Sequence, residues 1–384
     1  MRNVSKVIVK NILAVVIGLL LSFILLEGLL RIFQPIEYRV KGNKIWLPRD
    51  RKYQLTNDKT DKLDKIIYTS RNYLGFRGEA PPKNFAEYVT IIAVGGSTTA
   101  CELISDHKTW CDILAVKLKS KFNSLWLNNA GLDGNTTYGH IVLMEDYIVK
   151  LQPKVVLFLV GANDVGLEAP GLYDNQQHKK LMTGLVLPLL ENLVNKSEVL
   201  SYGVNFCRFF KAKRKGLIHS VWNFNEVTQL DIPTDKVLQI ILEQKQKYLP
   251  LYAERLKRLI QISRQNSIEP VIITQPLVFG DFVDPTNRFN LAKVNTIGWN
   301  GKVLWQVLEL YNDVTRNIAA QHHVGLIDLA REMPKRTDLY YDIYHFSNTG
   351  CQKVAEIIYQ NLYPLLEKMQ FPTAKLRQMQ EDVR

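Results

Sequence analysis

From Glu87 onward, short apolar runs alternate with stretches of helical period. The runs YVTIIAVGG, SLWLNNAG, KVVLFLVGAND, EPVIITQP and VGLIDLA are of strand length and bounded by turn-forming residues. Between them lie TWCDILAVKLKSKF, TYGHIVLMEDYIVKL, the long DKVLQIILEQKQKYLPLYAERLKRLIQISRQN and WQVLELYNDVTRNIAAQH, whose apolar residues recur every three or four positions. Strand-then-helix repetition is the pattern of βαβ units, so an α/β fold on a mainly parallel sheet is expected. Pro250 should divide or kink the long helix, because it lacks an N–H and its ring clashes with the preceding turn. A last helix is expected from about Thr349 within SNTGCQKVAEIIYQNLYPLLEKM.

A different pattern comes first. ILAVVIGLLLSFILLEGLLRIF is apolar for roughly 20 residues, the length that crosses a hydrocarbon core of about 30 Å. No small-residue cleavage site follows it, which favours an uncleaved anchor over a signal peptide. Arg2, Lys6 and Lys10 precede the span and place the N-terminus in the cytoplasm, with the large domain periplasmic or extracellular. Arg31, Arg39, Lys41 and Lys44 oppose that orientation, but long domains translocate largely regardless of charge. Glu27, near the outer end of the span, reads as an interfacial residue. The expected organisation is an anchor over 1–33, a membrane-proximal linker over 34–86 that docks on the domain, a domain over 87–365 and a charged tail over 366–384. An insertion at about 166–232 interrupts the alternation.

The chain has 384 residues, 46% of them hydrophobic, enough for a sizeable core, and a formal charge of +12. In a soluble protein that charge would suggest nucleic acid; behind an anchor it fits an acidic envelope surface better, or equally Lys and Arg scattered for solubility, and no nucleic-acid partner is expected. The basic cluster Arg208, Lys211, Lys213, Arg214 and Lys215, beside Phe209 and Phe210, reads equally as a solvated face or as a contact for anionic lipid. Four scattered cysteines make neither a disulfide framework nor a C-x-x-C metal site; Cys101 and Cys111 are either a pair or buried thiols. No metal or cofactor is implied, and oligomeric state is not legible.

Candidate chemistry gathers where strands end. Ser97 follows the first strand, Gly134 lies in the loop after the second, and Asn163 follows the third. Open α/β sheets bind ligands at that carboxyl edge. A serine hydroxyl needs a base to take its proton, and His345 is the best placed of the seven histidines. Asp342, three residues earlier, can meet the imidazole Nδ1 hydrogen and fix its tautomer. The backbone N–H groups of Ser97 and Gly134 and the side-chain amide of Asn163 would form an oxyanion hole. Gly131 is an alternative to Gly134, and Asp338 a rival to Asp342. His322 and His323 read as helix-end residues, His140 as packed or hydrogen-bonded on its helix, and Trp299, Trp305 and Tyr311 as core more readily than as a sugar-binding face.

Taken together, GGSTT, the glycine loop, GAND and DIYH resemble the SGNH, or GDSL-like, hydrolases over most of residues 71–363. The GGSTT form and the segment from Asn72 to Gly78 resemble a membrane-anchored bacterial subgroup. The resemblance implies a three-layer α/β/α sandwich with about five strands. It also implies Ser97 as nucleophile and donor, Gly134 and Asn163 as the other oxyanion donors, and Asp342 with His345 completing the triad. The activity so implied is a serine esterase removing acyl groups, most plausibly O-acetyl, from an envelope glycan. Alternatives are an O-acetyltransferase using the same acyl-enzyme, a lipid-ester hydrolase, and a glycan-binding scaffold without turnover.

Overall fold

The computed structural model describes residues 2–33, 40–41, 44–168, 192–214, 221–296 and 298–369. It divides into two compact units, Met1–Trp46 with Asn175–Ile218, and Leu47–Asp174 with His219–Arg384.

The larger unit is built on five strands: β1 (Val89–Gly95), β2 (Leu125–Asn129), β3 (Val155–Leu159), β4 (Glu269–Ile273) and β5 (Gly325–Ile327). They lie in the order β2-β1-β3-β4-β5 and every neighbouring pair is parallel, with Ile91 opposite Leu127 and Phe158 opposite Ile272. All residues of β1, β2 and β3 are buried, which is why these strands read as unbroken apolar runs: helices cover both faces. Helices Trp110–Lys119 and Asn348–Lys368 pack on each other, while Leu249–Gln265 packs on Thr137–Leu143 and on Gly301–Gln321. The result is the expected three-layer α/β/α sandwich. Strand order reverses direction between β1 and β3, and a crevice opens there at the carboxyl edge.

Helix starts are chemically marked. Thr109 and Asp112 form a reciprocal capping box, and Ser347 and Asn300 accept N–H groups of their own first turns. The long helix does divide at its proline: Thr234–Glu243 passes through a wide π turn at Gln244–Tyr248 into Leu249–Gln265, so the irregularity falls just before Pro250. The final helix continues to Lys368, with Leu366 buried.

The stretch between the span and the domain contains an antiparallel hairpin, Arg51–Thr56 with Ile66–Arg71. Ile67, Thr69 and Arg71 are buried. Its loop reaches the segment that carries His345. Lys62 Nζ donates to the carbonyls of Thr337 and Tyr340 at 2.7 and 3.0 Å, and Asp64 accepts from Asn348 Nδ2 at 3.0 Å.

In the smaller unit, helix Arg2–Phe33 includes Val7–Phe33, long and apolar enough to cross a membrane. Helix Glu198–Arg214 belongs to the same unit. The side chains of Arg208, Phe209, Lys211, Lys213 and Arg214, all of Lys215, and residues 370–384 of the tail lie outside the described residues.

Candidate active site

β1 runs through Gly95 and Gly96 into a single helical turn, Ser97–Ala100. A Cβ on Gly95 would stand 2.1 Å from Thr99 Oγ1 and 2.6 Å from the Leu159 carbonyl oxygen; one on Gly96 would stand 2.4 Å from Asn163 Nδ2. The glycine pair is therefore a matter of close approach, and it lets the Asn163 amide reach the turn that presents Ser97. Replacing Gly96 by alanine is expected to displace that amide and lower kcat about 10²–10³-fold, the cost of one oxyanion donor, with KM little changed. Steady-state kinetics on a chromogenic acetate ester would check this, and near-normal kcat would count against a role for Asn163.

The far end of the Ser97 turn is held by Arg77, 2% exposed. Its guanidinium donates to the carbonyls of Ala100, Cys101 and Ile104 at 3.0, 2.6 and 2.8 Å and pairs with Asp106 at 2.7 Å. Asn72 folds the segment that delivers it, its Oδ1 accepting the N–H groups of Leu74 and Phe76. This gives the stretch Asn72 to Gly78 a physical task that its sequence pattern did not reveal.

Asn163 comes from the turn after β3, entered through Gly161 at φ 122°, in the region open to glycine. Its Nδ2 donates to the Asn135 carbonyl at 2.9 Å, and a primary amide keeps a second hydrogen. In the loop after β2, Gly134 has φ 65°, while the Gly131 amide donates to Asn129 Oδ1 at 2.9 Å. A Cβ on Gly131 would meet the Ala100 nitrogen at 2.4 Å, so that glycine serves packing against the Ser97 turn.

His345 sits in the loop before the last helix. Its Nδ1 lies 2.6 Å from Asp342 Oδ2, and Asp342 Oδ1 accepts the backbone N–H groups of Tyr344 and His345 at 2.8 and 2.7 Å. Asp342 is 5% exposed, and the Tyr341 ring stacks on the imidazole, with centroids 5.4 Å apart and planes at 11°. Asp338 instead pairs with Arg336 at 2.8 Å, and its backbone carbonyl accepts the Ser347 hydroxyl at 2.8 Å.

Ser97, Asn163 and His345 line one pocket of about 80 Å³, together with Gly96, Asn135, His140, Gly161, Gln275 and Tyr344. Asp342 stands behind His345. Gly134 precedes the lining residue Asn135. His140, expected to be packed or hydrogen-bonded on its helix, lines this pocket as well; burial pushes its pKa down to about 3, so the ring is neutral. The Asn135 side-chain amide lies against its Nδ1, with Nδ2 at 3.0 Å. Sequence reasoning also passed over Asp164, 1% exposed, whose carboxylate receives the Thr137 N–H at 3.1 Å and Arg255 Nη2 at 3.1 Å.

Elsewhere, Cys101, Cys111 and Cys351 are buried free thiols, so Cys101 and Cys111 are not paired. Tyr311 is fully buried, its hydroxyl donating to Gln244 Oε1 at 2.9 Å. His322 and His323 close helix Gly301–Gln321.

Comparison with known proteins places the chain. No curated protein matches it by sequence. Among solved structures, the acetylxylan esterase Axe2 of Geobacillus stearothermophilus is similar at 13% identity and a TM-score of 0.41, over 71% of this chain and 92% of that one. A lipase/acylhydrolase of Enterococcus faecalis is similar at 16% identity and a TM-score of 0.39, over 71% and 94% respectively. Residues 93–353, well over half the chain and running from within β1 past His345, match the GDSL-like lipase/acylhydrolase family model. This chain therefore belongs to the GDSL-like lipase/acylhydrolase family, and is an ester-hydrolysing enzyme.

Proposed function

We propose that the enzyme removes short acyl groups, in the first place O-acetyl, from a glycan of the cell envelope, through an acyl-enzyme on Ser97. The observation that carries this reading is the pocket shared by Ser97, Asn163 and His345, with His345 held at 2.6 Å by a buried carboxylate. In the first step Ser97 Oγ attacks the ester carbonyl while His345 Nε2 takes the hydroxyl proton, and Asp342 stabilises the imidazolium. The Ser97 and Gly134 amides and the free hydrogen of Asn163 Nδ2 receive the oxyanion; the Gly131 amide is already bound to Asn129, which favours Gly134. The proton on His345 passes to the departing sugar oxygen. Water, deprotonated by the same imidazole, then releases the carboxylate.

Pocket size supports a short acyl chain. About 80 Å³ is far below the roughly 300–1,000 Å³ of sites that enclose drug-sized ligands. The apolar run from Ile12, with Arg2, Lys6 and Lys10 before it, supports a cytoplasmic N-terminus and a site facing the envelope.

The test is covalent. Treated with a fluorophosphonate, the purified full chain should gain one adduct, and peptide mapping by mass spectrometry should find it on Ser97. An active preparation whose adduct falls on another serine, or which gains none, would sink the reading.

A further inference from the structure

Helix Glu198–Arg214 is fastened to the end of the apolar span. The Glu27 carboxylate accepts the N–H groups of Glu198 and Val199 at 2.9 and 3.1 Å and the Ser197 hydroxyl at 2.8 Å. Arg31, paired with Glu27 at 2.7 Å, donates to the Lys196 carbonyl at 2.5 Å. Where the chain leaves the span, Asn205 Nδ2 donates to the Val40 carbonyl at 2.7 Å, and Lys41 pairs with Glu198. A carboxylate in an apolar span is costly unless compensated. Here it sits at a helix N-terminus, whose open N–H groups and dipole favour an anion.

The other side of this helix has the wrong polarity for water. Leu200, Gly203, Phe206, Cys207 and Phe210 are all exposed, Phe206 by 60% and Phe210 by 46%. At 3.6 residues per turn they fall within an arc of roughly 120°. The two phenylalanines pack edge to face at 4.6 Å, and Leu193, just upstream, is 51% exposed. The residues whose side chains bond to Val40 and Lys41, Asn205 and Glu198, lie on the opposite side. A helix resting on a soluble domain turns its apolar stripe inward; this one turns it out.

We propose that this face lies in the interfacial layer of the bilayer that the N-terminal helix enters, making the insertion helix a second, in-plane membrane contact. The inference rests on reading Val7–Phe33 as an uncleaved membrane anchor. Lipid is favoured as the occupant by the clasp: Glu27 and Arg31 stand in the last turns of the span, so a helix bound to them stays at the level where the span leaves the hydrocarbon. Apolar side chains there bury into the headgroup and acyl boundary.

Cys207 supplies the probe, since Cys101, Cys111 and Cys351 are buried. The full chain, labelled there with a polarity-sensitive fluorophore and reconstituted in phosphatidylcholine–phosphatidylglycerol vesicles, should emit to the blue. It should lose most of its emission to acyl-chain-brominated lipid, and little to aqueous iodide. Phe206→Ser with Phe210→Ser should reverse both quenching results while the chain still floats with the vesicles. If the unsubstituted chain floats and resists carbonate extraction, yet its label is quenched by iodide and not by brominated lipid, the in-plane contact is wrong and the anchor stands. If the chain does not float, the anchor reading fails and this inference with it.

Discussion

Ser97→Ala, His345→Ala and the double variant should lose turnover to nearly the same extent, about 10⁶-fold, because the proposed nucleophile and base would act as one unit, and removing either would leave nothing for the other to do. Asp342→Asn should behave differently. In the structure one carboxylate has two tasks: Oδ2 orients the imidazole at 2.6 Å, and Oδ1 holds the turn through the N–H groups of Tyr344 and His345. An asparagine keeps an oxygen for the turn but presents an N–H₂ to Nδ1, which selects the wrong tautomer. The fold should therefore survive while kcat falls about 10⁴-fold. Thermal unfolding and steady-state kinetics on 4-nitrophenyl acetate separate the two effects. A loss of less than about ten-fold in Asp342→Asn, with normal unfolding, would remove Asp342 from the role of orienting the base.

The sequence disclosed those parts of the molecule that depend on local pattern. β1 to β5 were readable because a parallel sheet buried on both faces needs near-continuous apolar strands, and Ser97 and Asn163 because each follows such a strand directly. Asp342 and His345 were readable because their contact spans three residues. The hairpin Arg51–Thr56 with Ile66–Arg71 was not: its first strand is mostly exposed and charged, so it has the composition of a linker. Arg77 and Asp164 escaped for a different reason. Their partners lie 23 to 29 residues and 27 to 91 residues away, and no periodicity encodes such separations. Likewise, NAGLDGNT leaves Gly131 open as an alternative to Gly134, because the bond that occupies the Gly131 amide, to Asn129 Oδ1, is a matter of loop geometry.

Arg255 should be among the most costly single residues to lose outside the pocket. It is 6% exposed on helix Leu249–Gln265, with Nε donating to Thr137 Oγ1 at 2.7 Å, Nη2 to Asp164 Oδ1 at 3.1 Å, and its guanidinium 4.1 Å from the Tyr138 ring centroid. Asp164 follows Asn163, and Thr137 begins the helix after the loop of Gly134 and Asn135, so the three side chains tie together the two loops proposed to bind the oxyanion. Arg255→Met leaves the Asp164 carboxylate buried without its cation, which typically costs about 3–5 kcal/mol. The urea midpoint should fall accordingly. Adding Asp164→Asn should recover part of that loss, because the orphaned charge is then gone, and the interaction energy of the cycle measures the pair. Arg255→Lys keeps the charge but not the fork that reaches Thr137 and Asp164 at once, so it should restore stability better than kcat. If Arg255→Met unfolds like the parent and keeps its kcat, the brace is not what holds Asn163 in place.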